Sequence, residues 1–397
     1  MRTVNKNLFK GVGNNMQIFG QPKEKRTVVI MAPYQLDEVM NPSFGGARLI
    51  LEQIKYFQES CNVCYIPLGE LGGMMSILLK VFRFFRMKRA KSRSLSKAFG
   101  IGNEAVRWIL NLVIFVLIEL LSKVDFKAKA FLEELLKRLN PLMIIYNYPS
   151  GFSIFDEVVL PERTILAAYE HNVEWKFYRD KLRGCILYPL VWILKKLELN
   201  NLKKADLIFC VSKVDRDALI REGLSASRMI VWVPLSAINY SLNKVEALTK
   251  IPKKLREKLE GKLVAGFVGS DFAPNIIAVK NIINISRNVP ENIVFLVIGS
   301  VKRAFETRRD ISQRVIFTDY VNELDTYLAL CDVFLNPKTT SDTGIEIKMF
   351  DYLKHRKPVI STPQGARGFE ENRLVMVIDI TRFSEVLRSM AIKRKKD

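Results

Sequence analysis

Short apolar runs recur along the chain, each closed by a small or polar turn and followed by a stretch with helical spacing. Residues 27–33, TVVIMAP, are apolar at successive positions and end in proline. Such a run fits a parallel strand buried on both faces better than a half-exposed one. NPSFGGARLILEQIKYF follows, with Leu49, Ile50, Ile54 and Phe57 at helical spacing behind a glycine pair, and NVCYIPL (62–68) reads as the next strand. Strand, glycine turn, helix, strand is the opening of a Rossmann-like unit.

The rhythm resumes at LMIIYNYP (142–149), RTILAAYE (163–170), KADLIFCVS (204–212) and RMIVWVP (228–234), with a helical KVDRDALIREG between the last two. Residues 237–260, rich in Asn, Lys and Glu, read as an interdomain linker followed by a charged helix. A second series starts at KLVAGFVGS (262–270) and continues through NIVFLVIGS, RVIFTDY, CDVFLNP, KPVISTP and LVMVIDI. The pattern predicts an α/β chain of two successive Rossmann-like domains. The N-terminal one covers 27–240 with an insertion at about 71–127, and the C-terminal one covers 255–390.

The insertion differs in character. No acidic residue lies between Leu71 and Asn103, whereas Lys80, Arg83, Arg86, Lys88, Arg89, Lys91, Arg93 and Lys97 all do, interleaved with Phe82, Phe84, Phe85 and other apolar residues. WILNLVIFVLIELL (108–121) is strongly apolar but short for a membrane span. It is expected either to enter a bilayer interface or to pack as a buried helix. DFKAKAFLEELLKRL then reads as an amphipathic helix.

Charge sharpens this picture. The 397 residues carry 62 Lys+Arg against 41 Asp+Glu, a formal +21, which favours anionic partners. Basic and aromatic residues mixed in one stretch suit a helix lying on an anionic bilayer, with Arg83, Arg86, Lys88 and Arg89 as its membrane contacts. The rival readings are a solvated insertion and nucleic-acid binding, and no nucleic-acid-binding module is visible. Five cysteines without paired CxxC motifs read as reduced thiols, and two histidines argue against a histidine-built zinc site. MRTVNKNLFKGVGNNMQIFGQPKEKR has no signal-peptide pattern. A cytoplasmic protein, peripherally held at the inner face of the cell membrane, is the expectation.

SDTGIEIKMFDYLKHRKPVISTP (341–363) carries the candidate chemistry. Thr343 and Glu346 have the spacing of a capping box, Thr343 as N-cap and Glu346 at N3. The turn lies beyond the carboxyl end of a strand, where an open α/β sheet receives its ligands. A phosphate at Gly344 and Ile345 would meet free amides, and Lys348 would add a full charge. Asp351 either accepts from sugar hydroxyls or pairs with Lys348 as a solvated couple.

This stretch resembles the donor-site segment of retaining GT-B glycosyltransferases of the family 4 type (glycosyl transferases group 1). Other segments agree in the same order: FGGARLILEQIKYF, AAYEHNVEWKF (167–177), LKKADLIFCVSKVDRDAL (202–219), FVGSDFAPNIIAVKNII (267–283) and LDTYLALCDVFLNP (324–337). The likeness spans most of the chain except about 70–140. It implies the GT-B fold, two Rossmann-like domains facing each other across a cleft. It implies transfer of a sugar, with retention of configuration, from a nucleotide-diphosphate sugar to a glycan or other acceptor. The acid-free basic run adds the expectation that this acceptor is membrane-associated or lipid-linked. Neither metal nor cofactor is expected, and nothing resembles an Asp-x-Asp metal site.

By the same resemblance Gly45 and Gly46 approach the phosphates, Gly344, Ile345 and Lys348 serve the diphosphate, and Asp351 contacts the ribose. His171 lies near the transferring sugar, Arg367 is a second cation, Glu174 is a weaker, structural candidate, and His355 is a surface residue. Thr343, with Asp342 beside it, stands where the family has the first Glu of a Glu-x7-Glu pair, and Leu235–Ser236 replace an Asn-Gly. These departures keep open a non-catalytic nucleotide-sugar-binding subunit on the same fold, and with weaker support an epimerase.

Overall fold

A parallel strand must be re-entered from its own amino end, so each crossover needs a covering helix, and the apolar runs above are strands of two sheets built in this way. The computed structural model describes residues 26–40, 45–71, 103–148, 151–182, 188–233, 243–308, 310–340 and 344–393, with short pieces at 3–4, 17–19, 73–74 and 77. Arg83, Arg86, Lys88 and Arg89 lie outside the described residues. The chain divides into two units, Met1–Ser236 and Ala237–Asp397.

In the first unit the strands are β1 (Thr3–Val4), β2 (Gln17–Phe19), β3 (Thr27–Ala32), β4 (Asn62–Pro67), β5 (Met143–Asn147), β6 (Ile165–Glu170), β7 (Leu207–Cys210) and β8 (Met229–Val231). Their order is β1-β2-β4-β3-β5-β6-β7-β8. From β4 to β8 all pairings are parallel, and β1 and β2 add an antiparallel edge that the apolar pattern did not predict. In the second unit β9 (Leu263–Val268), β10 (Ile293–Ile298), β11 (Val315–Phe317), β12 (Val333–Asn336), β13 (Val359–Ser361) and β14 (Val375–Val377) form an all-parallel sheet, order β11-β10-β9-β12-β13-β14.

The helices that position the candidate residues are α1 (Leu36–Met40), α2 (Gly45–Gln58), α3 (Asn103–Ser122), α4 (Phe126–Leu139), α5 (Glu174–Lys181), α6 (Pro189–Lys204) and α7 (Lys213–Arg221) in the first unit. In the second they are α8 (Lys244–Thr249), α9 (Lys253–Leu259), α10 (Ala273–Arg287), α11 (Leu324–Leu330), α12 (Lys348–Lys354), α13 (Pro363–Ala366) and α14 (Phe383–Lys393). The run 108–121 lies in α3, which packs Leu112, Ile114, Val116 and Ile118 into the first unit's core. Among the described residues no helix is long and apolar enough to cross a membrane. Asp125 caps α4, accepting from the Ala128 amide at 3.2 Å, and Asn140 in the left-handed region ends it.

The first unit also buries acids between β6, α5, α6 and α7. Glu198 accepts from the Glu174 and Trp175 amides at 3.2 and 3.1 Å, which satisfies the free amino end of α5 from outside. Asp215 accepts from the Ser212 hydroxyl at 2.6 Å. Glu170 is fully buried, and neither of its oxygens has a hydrogen-bond partner. Burial, and then the neighbouring Glu198, Glu174 and Asp215, push the Glu170 carboxyl well above its ordinary range. Burial lifts Glu174 to about 7. Glu174 starts α5 inside this cluster of buried acids, where burial pushes the Glu198 carboxyl upward as well.

A carboxyl whose folded pKa is raised stays protonated in the fold while the unfolded chain ionises. Its contribution is complete below the unfolded value of 4.5 and is lost as pH rises toward about 7. At roughly 1.4 kcal/mol per unit this is on the order of 3 kcal/mol. Glu174→Gln is therefore expected to raise the melting temperature at pH 8 by several degrees relative to wild type, and to change it little at pH 4.5. Equal shifts at both pH values, read by differential scanning calorimetry, would refute this assignment.

Candidate functional site

In the second unit β9 runs one way into β10 and β11, and β12 opens the other side, so the sheet's switch point lies between β9 and β12. Strands on the two sides of a switch point send their connections to opposite faces, which leaves room for a ligand beyond the carboxyl ends. Three charged side chains meet there. Glu346 receives Lys338 Nζ on one oxygen at 2.5 Å and Lys348 Nζ on the other at 3.1 Å. Lys348 Nζ also donates to Asn275 Oδ1 on α10 at 2.8 Å and stands 4.4 Å from the centre of the Phe267 ring.

All three side chains are nearly out of water, with relative exposures of 10, 15 and 10% for Lys338, Glu346 and Lys348. Burial works against the Glu346 charge, but the two ammoniums outweigh it and hold the carboxyl at about 2. For Lys348 burial is the larger effect, and Glu346 only partly offsets it, so its pKa falls below the ordinary lysine value. Sequence spacing did not single out Lys338. It follows β12 on Pro337, and its carbonyl accepts from the Thr362 hydroxyl, the N-cap of α13.

The capping box expected at Thr343 and Glu346 does not form. The helix begins at Lys348, and Ile347 occupies the cap without a side-chain bond. Gly344 has φ 76°, a left-handed conformation that a side chain would resist, and it turns the chain so that Glu346 points inward before the helix starts. Glu346 therefore neutralises lysines instead of reaching back to a cap. The expected free amides at Gly344 and Ile345 are consequently not those of the helix start, which comes four residues later at 348 rather than 344. Asp342 and Thr343 lie outside the described residues. Asp351 sits partly buried in the first turn of α12, and Arg367 ends α13. The surface position expected for His355 is wrong, since its side chain is only 3% exposed and its Nε2 lies 3.1 Å from Asp325 Oδ1 on α11.

The first unit has its own switch point, between β3 and β5. Gly45 and Gly46 form the first turn of α2 rather than a loop. A Cβ on Gly46 would collide with the hydroxyls of Tyr34 and Tyr148, so close approach is what this glycine provides. His171, after β6, is 5% exposed, and its Nε2 lies 2.8 Å from Asn147 Oδ1. Asn147 and Gln53 exchange amide hydrogen bonds at 2.9 and 3.1 Å. Because that oxygen only accepts, His171 carries its proton on Nε2 and leaves Nδ1 as a buried acceptor without a partner. Burial pulls its pKa down to about 3, so the ring is neutral near pH 7.

Tyr148 completes this arrangement and escaped the sequence reading. Its ring lies flat on His171, centroids 4.2 Å apart and planes 2° from parallel, and its hydroxyl accepts from Tyr34 at 2.7 Å. It adopts φ 71°, unusual for a bulky residue and a strain that its neighbours must hold in place. The structure thus brings Gly46 and His171 together, through Tyr148, at one switch point. At the other it places Gly344, Ile345, Lys348 and Asp351 on the turn and first helical turn, with Arg367 at the end of α13 after the neighbouring strand β13. Among the described residues no cluster of His, Cys, Asp and Glu could hold a metal ion.

Residues 262–391 match the glycosyl transferases group 1 family. No curated protein matches the chain in sequence. In structure the chain is similar to Alr3699/HepE of Anabaena, crystallised in complex with UDP-glucose. The two are 14% identical with a TM-score of 0.58, over 94% of this chain and 91% of that one. It is also similar to an alpha,alpha-trehalose-phosphate synthase (UDP-forming) of Burkholderia vietnamiensis, at 12% identity and TM-score 0.53, over 93% and 91% of the two chains. The trehalose 6-phosphate synthase of Burkholderia multivorans gives 12% and 0.52, over 94% and 90%. The chain therefore has the GT-B fold, two Rossmann-like domains, and residues 262–391 carry a glycosyl transferases group 1 domain.

Proposed function

We propose that this protein is a retaining glycosyltransferase that moves a hexose from a nucleotide-diphosphate sugar to a membrane-associated or glycan acceptor. The observation that carries this reading is the buried Lys338–Glu346–Lys348 cluster at the switch point of the C-terminal unit, inside the segment that matches the glycosyl transferases group 1 family. A glycosyl donor breaks at the bond between its anomeric carbon and the diphosphate oxygen, and the diphosphate leaves with growing negative charge. Ammoniums held in place beforehand, in a site of low dielectric, stabilise that charge without reorganising. Lys348 supplies this charge, Glu346 holds it, and Asp351 accepts from the ribose hydroxyls. Arg367, at the end of α13, is assigned to the same diphosphate.

His171 is neutral and offers a lone pair on Nδ1. Its role is therefore to accept a hydrogen bond from a hydroxyl of the transferring sugar, not to act as a cationic acid. Neither metal nor cofactor takes part in the proposal, and lysine ammoniums do the work that a divalent cation does in metal-dependent sites. The replacement of the family's first Glu by Thr343 favours one second reading, a subunit that binds the donor without transferring it.

The test is release of nucleoside diphosphate from a panel of nucleotide sugars headed by UDP-glucose, with and without a lipid extract and in EDTA. Acceptor-dependent release that survives EDTA and disappears in Asp351→Ala is expected, and the anomeric proton coupling of the product should match that of the donor. Donor binding with no release from any sugar would establish the binding-subunit reading instead. Lys348→Ala is expected to weaken nucleoside diphosphate binding by about tenfold or more, the worth of a charge-assisted hydrogen bond. Unchanged affinity by calorimetry would remove Lys348 from the site. In Glu346→Gln the lysine loses the carboxylate that raises its pKa, so diphosphate binding should fall off at lower pH than in wild type. An unmoved alkaline limb would show that Glu346 does not poise the lysine.

A further inference from the structure

The outer side of α3 and the corner into α4 present an apolar surface that the first unit's core does not use. Leu117 and Leu120 are 39 and 47% exposed, Val124 is 48% and Phe126 is 70%. Val113, Leu117 and Leu120 follow the i, i+4, i+7 spacing of a single face of α3, and Val124 follows in the turn that ends it. That face is opposite the one carrying Phe115 and Glu119, which meets Leu194, Leu197 and Glu198 of α6. Lone exposed apolar residues are ordinary, but a row of them on one helix face is not.

The charges around this row are sorted by sign. Lys123 and Lys127 are exposed at its end. The only two carboxylates between Val113 and Leu132, Glu119 and Asp125, are 2 and 3% exposed and face inward. Glu119 accepts from the Gly151 amide at 2.7 Å and from the Ser153 hydroxyl, and Asp125 caps α4. Glu157, which reaches the corner from a neighbouring segment, is paired with Lys129 at 2.6 Å. Both acids of the row itself have been turned to internal use, and the exposed carboxylate beside the corner, Glu157, is neutralised by Lys129, so the row carries apolar side chains with Lys123 and Lys127 at its end.

We propose that this face of α3, with the Lys123–Lys127 corner, is the docking surface of the first unit for an anionic lipid bilayer. Leu117, Leu120, Val124 and Phe126 enter the boundary between headgroups and acyl chains. Lys123 and Lys127 keep their ammoniums at the level of the lipid phosphates while their aliphatic stems lie along the apolar row. Charge complementarity decides against a protein partner, because the cores of protein interfaces are depleted of lysine, whereas anionic headgroups attract it. The excess charge of +21 on the whole chain acts in the same direction. The proposal deepens the acceptor side of the reading above, and rests on it only for the conclusion that the acceptor is itself in the membrane.

Vesicle binding tests it, using the full chain with neither donor nor acceptor. Wild type should co-sediment with vesicles of phosphatidylglycerol and phosphatidylcholine in equal parts, and far less with pure phosphatidylcholine. Leu120→Asp with Phe126→Asp should weaken that partitioning by about tenfold or more, since both apolar anchors are lost. Lys123→Glu with Lys127→Glu should weaken it similarly at low salt, each lysine near the surface being worth several-fold. All four positions are exposed, so melting temperature and UDP binding should stay at wild-type values. Wild-type vesicle binding by both double variants would overturn the proposal, as would failure of wild type to bind anionic vesicles. So would a change in self-association with Leu120→Asp and Phe126→Asp while vesicle binding is unchanged, because the occupant would then be a second copy. UDP binding is read without vesicles, so the donor site and the membrane face can fail independently.

Discussion

A strand buried on both faces of a parallel sheet has its backbone committed to two neighbours and its side chains committed to two helical layers. Chemistry is therefore excluded from the body of each sheet and is confined to the strand ends, where connections leave and polar groups become available. The position that stays open is the one where successive connections diverge. Both sheets here obey that constraint. His171, Asn147 and Tyr148 collect at the β3–β5 divergence of the first, and Lys338, Asn275 and Lys348 at the β9–β12 divergence of the second.

The two units handle buried charge in opposite ways. In the first, Glu170 has no hydrogen-bond partner and desolvation wins, pushing its carboxyl and those of Glu174 and Glu198 upward. In the second, Glu346 suffers the same desolvation, but two lysines within hydrogen-bond distance reverse the balance and keep it ionised. The first arrangement serves the fold, because Glu198 satisfies the amino end of α5. The second holds a lysine ready, because a buried ammonium kept charged by one carboxylate retains strong attraction for an incoming polyanion. The proposed membrane face is a third solution. There the acids of the row, Glu119 and Asp125, are turned inward and the exposed Glu157 is paired with Lys129, so apolar side chains and two lysines make up the row.

These arrangements also explain why some site residues were legible in the chain and others were not. Strand after strand could be read from apolar runs because burial on both faces leaves no polar alternation. Lys348 and Gly344 stood out because a glycine turn and a cation follow a strand end at short range. Lys338 and Tyr148 carried no such signal. A lysine after Pro337 looks like any loop lysine until Glu346 is seen to fold back on it, and Tyr148 matters through a left-handed backbone that sequence does not report. Glu346 was misread because capping-box spacing is local, whereas the attraction of two lysines across the site is not.

Read alone, the sequence determined the periodicities: which runs are strands, which stretches are helices, that the order is α/β twice over, and that the chain carries a large positive charge. Those properties depend on neighbours a few residues apart. Tertiary structure decided what depends on distant partners. It buried His355 against Asp325 and made His171 a neutral acceptor through Asn147 and Gln53. It also delayed the start of α12 to Lys348 and turned Leu117 and Leu120 outward while their neighbours entered the core. The physical reason is range: backbone preference and hydrophobic period act within a turn or two, while desolvation and charge pairing are settled only when remote segments meet.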